Sequence, residues 1–170
     1  MSDHEEDLPE ILTPPSTDFD NLSFYDLYET DKAKEQHGVP LYFADAKLRI
    51  TLARAGGGNA KFARCLTVHS KPYKRAIQTG QLSDDKANDL MMKTYAEAAI
   101  LNWETLIRKD KGLCYVKGIK LKDMPGLQPV TPENIVKVLR IVPDLFREIM
   151  TEATNIDNYT IYTREEDSKN

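Results

Sequence analysis

The stretch Ser83–Leu106, SDDKANDLMMKTYAEAAILNWETL, decides how the rest of the chain is read. Ser83 stands where a helix cap belongs, and Asp84 and Asp85 fall in the first turn, where the positive end of the helix dipole favours acids. Wound as a helix, the stretch puts Lys86, Asp89, Lys93, Glu97 and Glu104 on a narrow polar stripe. Ala87, Leu90, Met91, Tyr95, Ala98, Ala99, Leu101, Trp103 and Leu106 fill most of the remainder. A helix buried around more than half its circumference is expected, forming the centre of the fold.

Toward the C-terminus, residues 108–130 carry five lysines, one arginine, three glycines and two prolines. Leu113, Tyr115, Val116 and Ile119 offer only short strand material, so a long excursion or a minor hairpin is expected. Thr131-Pro132-Glu133 reads as a cap, a proline at the first helical position and an acid in the first turn. That helix carries Ile135, Val136, Val138 and Leu139 as far as Pro143. A second helix starts at Pro143-Asp144 and buries Leu145, Phe146, Ile149 and Met150.

Toward the N-terminus, Phe62, Cys65, Leu66, His69, Tyr73, Ala76 and Ile77 recur at helical steps, with Lys61, Arg64, Lys71, Lys74 and Arg75 mostly off that face. Pro72 divides this helix or kinks it, and Gly80 stops it. Asn59 caps its start, just after Gly56-Gly57-Gly58. Earlier still, Leu48, Ile50 and Leu52 alternate with Lys47, Arg49 and Thr51, which predicts a strand with one face buried. Val39, Leu41 and Phe43 supply its partner, joined by a turn at Asp45-Ala46. The chain is therefore expected to be mainly α with a small N-terminal β-hairpin at about 39–54, an α+β arrangement in a single compact helical domain over 22–160. A disordered acidic leader is expected over 1–21 and a loose charged tail over 161–170.

Charge is sorted into blocks. Residues 1–45 hold twelve acids against two bases, residues 46–83 hold eight bases and no acid, and residues 84–170 hold fifteen acids against thirteen bases. An uncompensated basic segment presents an electropositive surface, so an acidic partner is expected there. The acidic leader itself is one occupant to consider. Nucleic acid is disfavoured as the partner by the net charge of -4 and by the lack of a helix-turn-helix, zinc or aromatic RNA-binding signature.

No apolar run reaches membrane-spanning length and no secretory signal opens the chain, which gives the expectation of a soluble cytoplasmic protein without membrane contact. Two cysteines and three scattered histidines give no zinc or disulfide pattern, so no metal and no cofactor are expected. Cys65 is expected as a small buried hydrophobe. The glycine triplet lacks the lysine and hydroxyl of a phosphate loop and reads as a joint. Ser70 and His69 are neighbours on a helix and do not face each other as a catalytic pair, and no GxSxG surrounds the serine. No catalytic residue is assigned, and a binding protein rather than an enzyme is expected.

The order of several short motifs resembles the tail assembly chaperones of long-tailed, siphovirus-type bacteriophages. They are Glu35-Gln36-His37-Gly38-Val39, the exit Ile50-Thr51-Leu52-Ala53-Arg54-Ala55-Gly56, Lys71-Pro72-Tyr73-Lys74-Arg75-Ala76-Ile77, Gly80-Gln81-Leu82-Ser83-Asp84, Asn102-Trp103-Glu104, Thr131-Pro132-Glu133-Asn134 and Pro143-Asp144-Leu145-Phe146. The resemblance covers about Thr30 to Tyr159. It departs at Asn102, where such proteins typically carry Asp, at the long connection 108–128, and in the added leader. It implies transient binding to the tape measure protein, which is kept soluble, and recruitment of tail tube protein, in the host cytoplasm and absent from the mature virion. It also implies a frameshifted longer product in many members, and self-association as a homo-oligomer is an open expectation. Under this resemblance Lys61, Arg64, Lys71, Lys74 and Arg75, together with the Trp103 region, are the partner-binding candidates. The alternative is a structural tail or connector component of the virion.

Overall fold

The computed structural model describes residues 23–161, so the leader over 1–21 and all but the first residue of the 161–170 tail lie outside the described residues. About half of the described residues are helical and just under a quarter are extended. The elements are α1 (Phe24–Tyr28), α2 (Lys32–His37), β1 (Val39–Phe43), β2 (Leu48–Leu52), α3 (Ala60–Ser70), α4 (Lys74–Gln78), α5 (Asp84–Ala98), β3 (Ile100–Lys109), β4 (Gly112–Lys117), β5 (Ile119–Lys120), β6 (Leu127–Gln128), α6 (Pro132–Ile141) and α7 (Pro143–Thr154). Strands β1 to β4 form one antiparallel sheet in that order, and β5 and β6 form a separate two-stranded ribbon.

This corrects the expectation of a mainly helical domain with one small hairpin: the protein is a mixed α+β fold, a four-stranded sheet with helices packed on one face. The error lies at the end of α5. Helix stops at Ala98, and Ile100 to Lys109 run on as the longest strand of the sheet. No glycine or proline marks the stop. The terminal carbonyls are received instead by distant donors, Ala53 N–H on Ala99 at 2.8 Å and the Asn59 amide on Ala98 at 3.3 Å. Tertiary contacts thus end a helix that local propensity would continue. A β-bulge completes the disguise. Thr51 pairs with Asn102 but Leu52 pairs with Ile100, so Leu101 is skipped. Ile100 and Trp103, both turned inward, then stand three apart as in a helix.

The excursion over 108–130 resolves into β4, paired with β3 from Glu104↔Lys117 to Lys109↔Gly112, and the β5–β6 ribbon. The first hairpin pairs Val39↔Leu52 through Phe43↔Leu48 across a turn in which Ala44, Asp45 and Ala46 all have positive φ. At Gly38 φ is 76°, and a Cβ there would lie 2.8 Å from the Leu52 carbonyl, so only glycine lets α2 turn into β1.

One face of the sheet carries Phe43, Ile50, Leu52, Ile100 and Trp103 into the core, where α3, α5, α6 and α7 supply the other side. Tyr95 of α5 is the hub, meeting Phe62 of α3 edge-on at 5.2 Å and Phe146 of α7 at 5.5 Å. The opposite face is wet and ionic: Arg49 grips Glu104 through two bonds of 2.6 and 2.9 Å and lies 4.7 Å from the Tyr115 ring centre.

Candidate functional site

The five basic candidates lie on one feature, a helical arm formed by α3, a single 3-10 turn over Lys71–Tyr73, and α4. Asn59 caps α3 by accepting from Phe62 N–H at 3.2 Å, and the free turn at Gly80 closes α4, with Gln81 N–H bonded to the Ala76 carbonyl at 2.8 Å. Phe62 and Cys65 face α5 and are buried. Burial, and after it the Glu97 carboxylate, push the Cys65 thiol above its ordinary pKa, as suits a packing residue. Beyond Ser70 the arm packs chiefly on its own preceding turn, and most of its residues to Gln81 are exposed.

Lys61, Arg64, Val68, Lys71 and Arg75 recur at three- and four-residue steps, with Lys74 and Ile77 beside them. All five cations are exposed. Among the described residues none of them makes a salt bridge, whereas Arg49, Arg54, Lys93, Arg140 and Arg147 all do. Val68 is 66% exposed and Ile77 45%, so exposed apolar side chains lie among the cations of the arm. The sequence pattern placed Ile77 on the buried face. The 3-10 turn imposed by Pro72 runs at about three residues per turn and rotates α4 out of phase with α3.

Two grooves flank the arm. At its base, Gln36, Ala60, Lys61, Arg64, Ala98 and Leu101 border a hollow of about 320 Å³. On its other side a second hollow, also about 320 Å³, runs between the end of α3, α5 and α6, with Pro132 and Val136 in its lining and both acids, Glu97 and Glu133, and bases, Lys93, Lys137 and Arg140, around them. His69 closes one end by bonding Glu97 at 2.8 Å. Sequence reasoning missed this groove because its apolar residues come from α6, far along the chain from α3.

Trp103 lies elsewhere. It is 1% exposed on the inner face of β3, opposite Ile50, and offers no surface to a partner in this conformation. Ser70 donates to the Thr67 carbonyl at 3.1 Å while His69 turns to Glu97, so these two form no pair. Among the described residues no cluster of three or more His, Cys, Asp or Glu is placed to hold a metal ion, and no helix is long and apolar enough to cross a membrane.

The glycine triplet already holds an anion from the chain itself. The Glu35 carboxylate, 2% exposed, accepts from Gly58 N–H at 2.8 Å and from the Arg54 guanidinium. A Cβ at Gly58 would lie 2.1 Å from one of its oxygens, so the backbone approaches as closely as a phosphate loop would, for a structural carboxylate.

A family model described as YdaY prophage protein matches residues 57–170. The match begins within the glycine triplet and takes in the arm, β3, β4 and the C-terminal helices, leaving α1, α2 and the first hairpin outside. No curated protein and no solved structure matches the chain. With more than half of its length matched, the chain belongs to the YdaY prophage protein family and is phage-derived.

Proposed function

We propose that this protein is a phage tail assembly chaperone, a transient binder that keeps the tape measure protein soluble and helps recruit tail tube subunits. The observation that carries the proposal is the arm of α3 and α4: five exposed cations without a salt-bridge partner among the described residues, interleaved with exposed Val68 and Ile77, beside a partly apolar groove. A long amphipathic helix needs both parts, an apolar trough for its buried face and charges that steer its approach. Phage origin supports the reading at the level of the biological setting, and the order of sequence motifs supplies the chaperone resemblance. On this reading the protein acts in the host cytoplasm and leaves before the virion is complete.

Co-expression with the tape measure polypeptide tests the proposal. The long chain becomes soluble and co-purifies with this protein, while purified finished tails lack it. Retention in tails at fixed copy number would instead make it a structural component and sink the chaperone reading. The triple reversal Lys71→Glu, Lys74→Glu and Arg75→Glu weakens the complex at least tenfold, about 1.4 kcal/mol. Because all three residues are exposed, each substitution should change stability by no more than roughly 0.5 kcal/mol. Isothermal titration and thermal unfolding of the same variant separate the two effects, and unchanged affinity would remove the arm from the account.

A further inference from the structure

Among the described residues none of the arm's five cations has a salt-bridge partner, yet the chain carries an acidic run elsewhere. Residues 1–22 hold seven acids between Asp3 and Asp20 and no lysine or arginine. They join the fold at Ser23, from which α1 leads within a few residues to α2, whose Gln36 borders the same hollow as Lys61 and Arg64. Two short helices and a brief link put Ser23 within roughly 30 Å of that hollow, while 22 residues span up to about 75 Å when extended. Reach is no obstacle, and a tethered segment acts at an effective concentration on the order of millimolar.

We infer that residues 1–22 dock on the arm of their own chain, across Lys61, Arg64, Lys71, Lys74 and Arg75, as an intramolecular stand-in that an incoming partner displaces. Opposite charge selects this occupant: the arm face is wholly cationic among its charged residues, and the leader is wholly acidic. Such a contact gives the arm a threshold. Weak or non-specific acidic ligands compete poorly against the tethered acids, and only a partner that also fills the adjoining groove gains enough to displace them. The masking role rests on the arm being the docking surface proposed above.

Zero-length carbodiimide coupling of carboxylates to lysines tests the contact in the intact chain. An equimolar mixture of ordinary and nitrogen-15 protein at low micromolar concentration distinguishes bridges within a chain from bridges between chains. The expected products join leader acids to Lys61, Lys71 and Lys74 within single chains, enriched at least fivefold over the exposed Lys86, Lys109, Lys111 and Lys122. At about 0.5 M salt, where screening is nearly complete over a few ångströms, the enrichment disappears. Bridges spread evenly over all lysines, or found only between chains, would overturn the inference.

The masking role has its own readout. Replacing the seven acids by their amides in the full-length chain tightens binding of the tape measure polypeptide about tenfold, and equal affinity overturns it. If the polypeptide binds neither form, the proposed function falls, while the coupling pattern still decides whether leader and arm touch.

Discussion

Trp103→Ala lowers the free energy of unfolding by about 3–5 kcal/mol, a large share of the roughly 5–15 kcal/mol that domains of this kind possess. The side chain is 1% exposed, sits across the sheet from Ile50, and joins the cluster shared by α5 and the C-terminal helices. Truncation removes the largest side chain of that cluster and leaves a cavity that strands on both sides hold open. The indole N–H has no partner among the described residues, so the effect is one of packing. Trp103→Phe therefore costs only about 1–2 kcal/mol, because no hydrogen bond is lost and most of the volume remains. Urea unfolding followed by far-UV circular dichroism reads both variants, since the only tryptophan is the one removed. Trp103→Phe also retains partner binding. A folded Trp103→Phe protein that no longer binds would show that this side chain reaches the surface in the complex.

The same residue shows where the fold was legible and where it was not. Features fixed by local chemistry could be read from the chain: the alternation of Leu48, Ile50 and Leu52, the Asn59 cap, the Thr131-Pro132 start of α6 and the stop at Gly80. Ser83 also stands at the start of α5, although its hydroxyl makes no capping bond. The strand bearing Trp103 was hidden because its two signals are non-local. Donors on Ala53 and Asn59 end the preceding helix, and the bulge at Leu101 breaks the alternation that would have announced an extended segment. Read as a continuation of α5, residues 100–106 leave β4 without a visible partner. In the candidate site the cations were legible by their spacing, whereas the groove beside them needs α5 and α6 brought together, and the phase of Ile77 depends on a tightened turn.

Glu35 figures in the sequence only as the first residue of one short motif and as one acid in an acidic block, with nothing to mark it as buried, yet Glu35→Ala is expected to cost about 3 kcal/mol. Its carboxylate ties α2 to the loop before α3: Arg54 and Gly58 both bond to it, and Arg54 N–H donates to the Glu35 carbonyl at 2.9 Å. Removing it leaves a guanidinium that is one-fifth exposed and a glycine N–H without their acceptor. Broken buried pairs cost roughly 3–5 kcal/mol, and the lower end applies because exposed Gly57 and Gly58 place the knot just beneath the surface, where water can enter.

Two further measurements identify the mechanism. Burial alone would raise the Glu35 pKa, but hydrogen bonds from Arg54, Thr30 and Gly58 and the Arg54 charge outweigh it and hold the group below its ordinary value. A depressed folded pKa means that the stabilisation is complete above the unfolded value of about 4.3 and is lost as pH falls through the folded one. Glu35→Gln therefore loses stability at pH 7, and its gap to the native protein narrows as pH falls below the unfolded value and closes below the depressed folded one, giving a shallower acid slope. Asp89 and Glu104, also depressed by their arginine partners, keep part of that slope in both proteins. Parallel acid unfolding curves for the two proteins would show that Glu35 does not carry this charge. Gly58→Ala supplies the second measurement, since its Cβ would occupy the space of the Glu35 oxygen at 2.1 Å. It destabilises the native background by about 1–3 kcal/mol and is nearly neutral once Glu35 is alanine. That non-additivity is what a carboxylate enclosed by backbone requires, and additive costs would mean that the glycine is needed for some other reason.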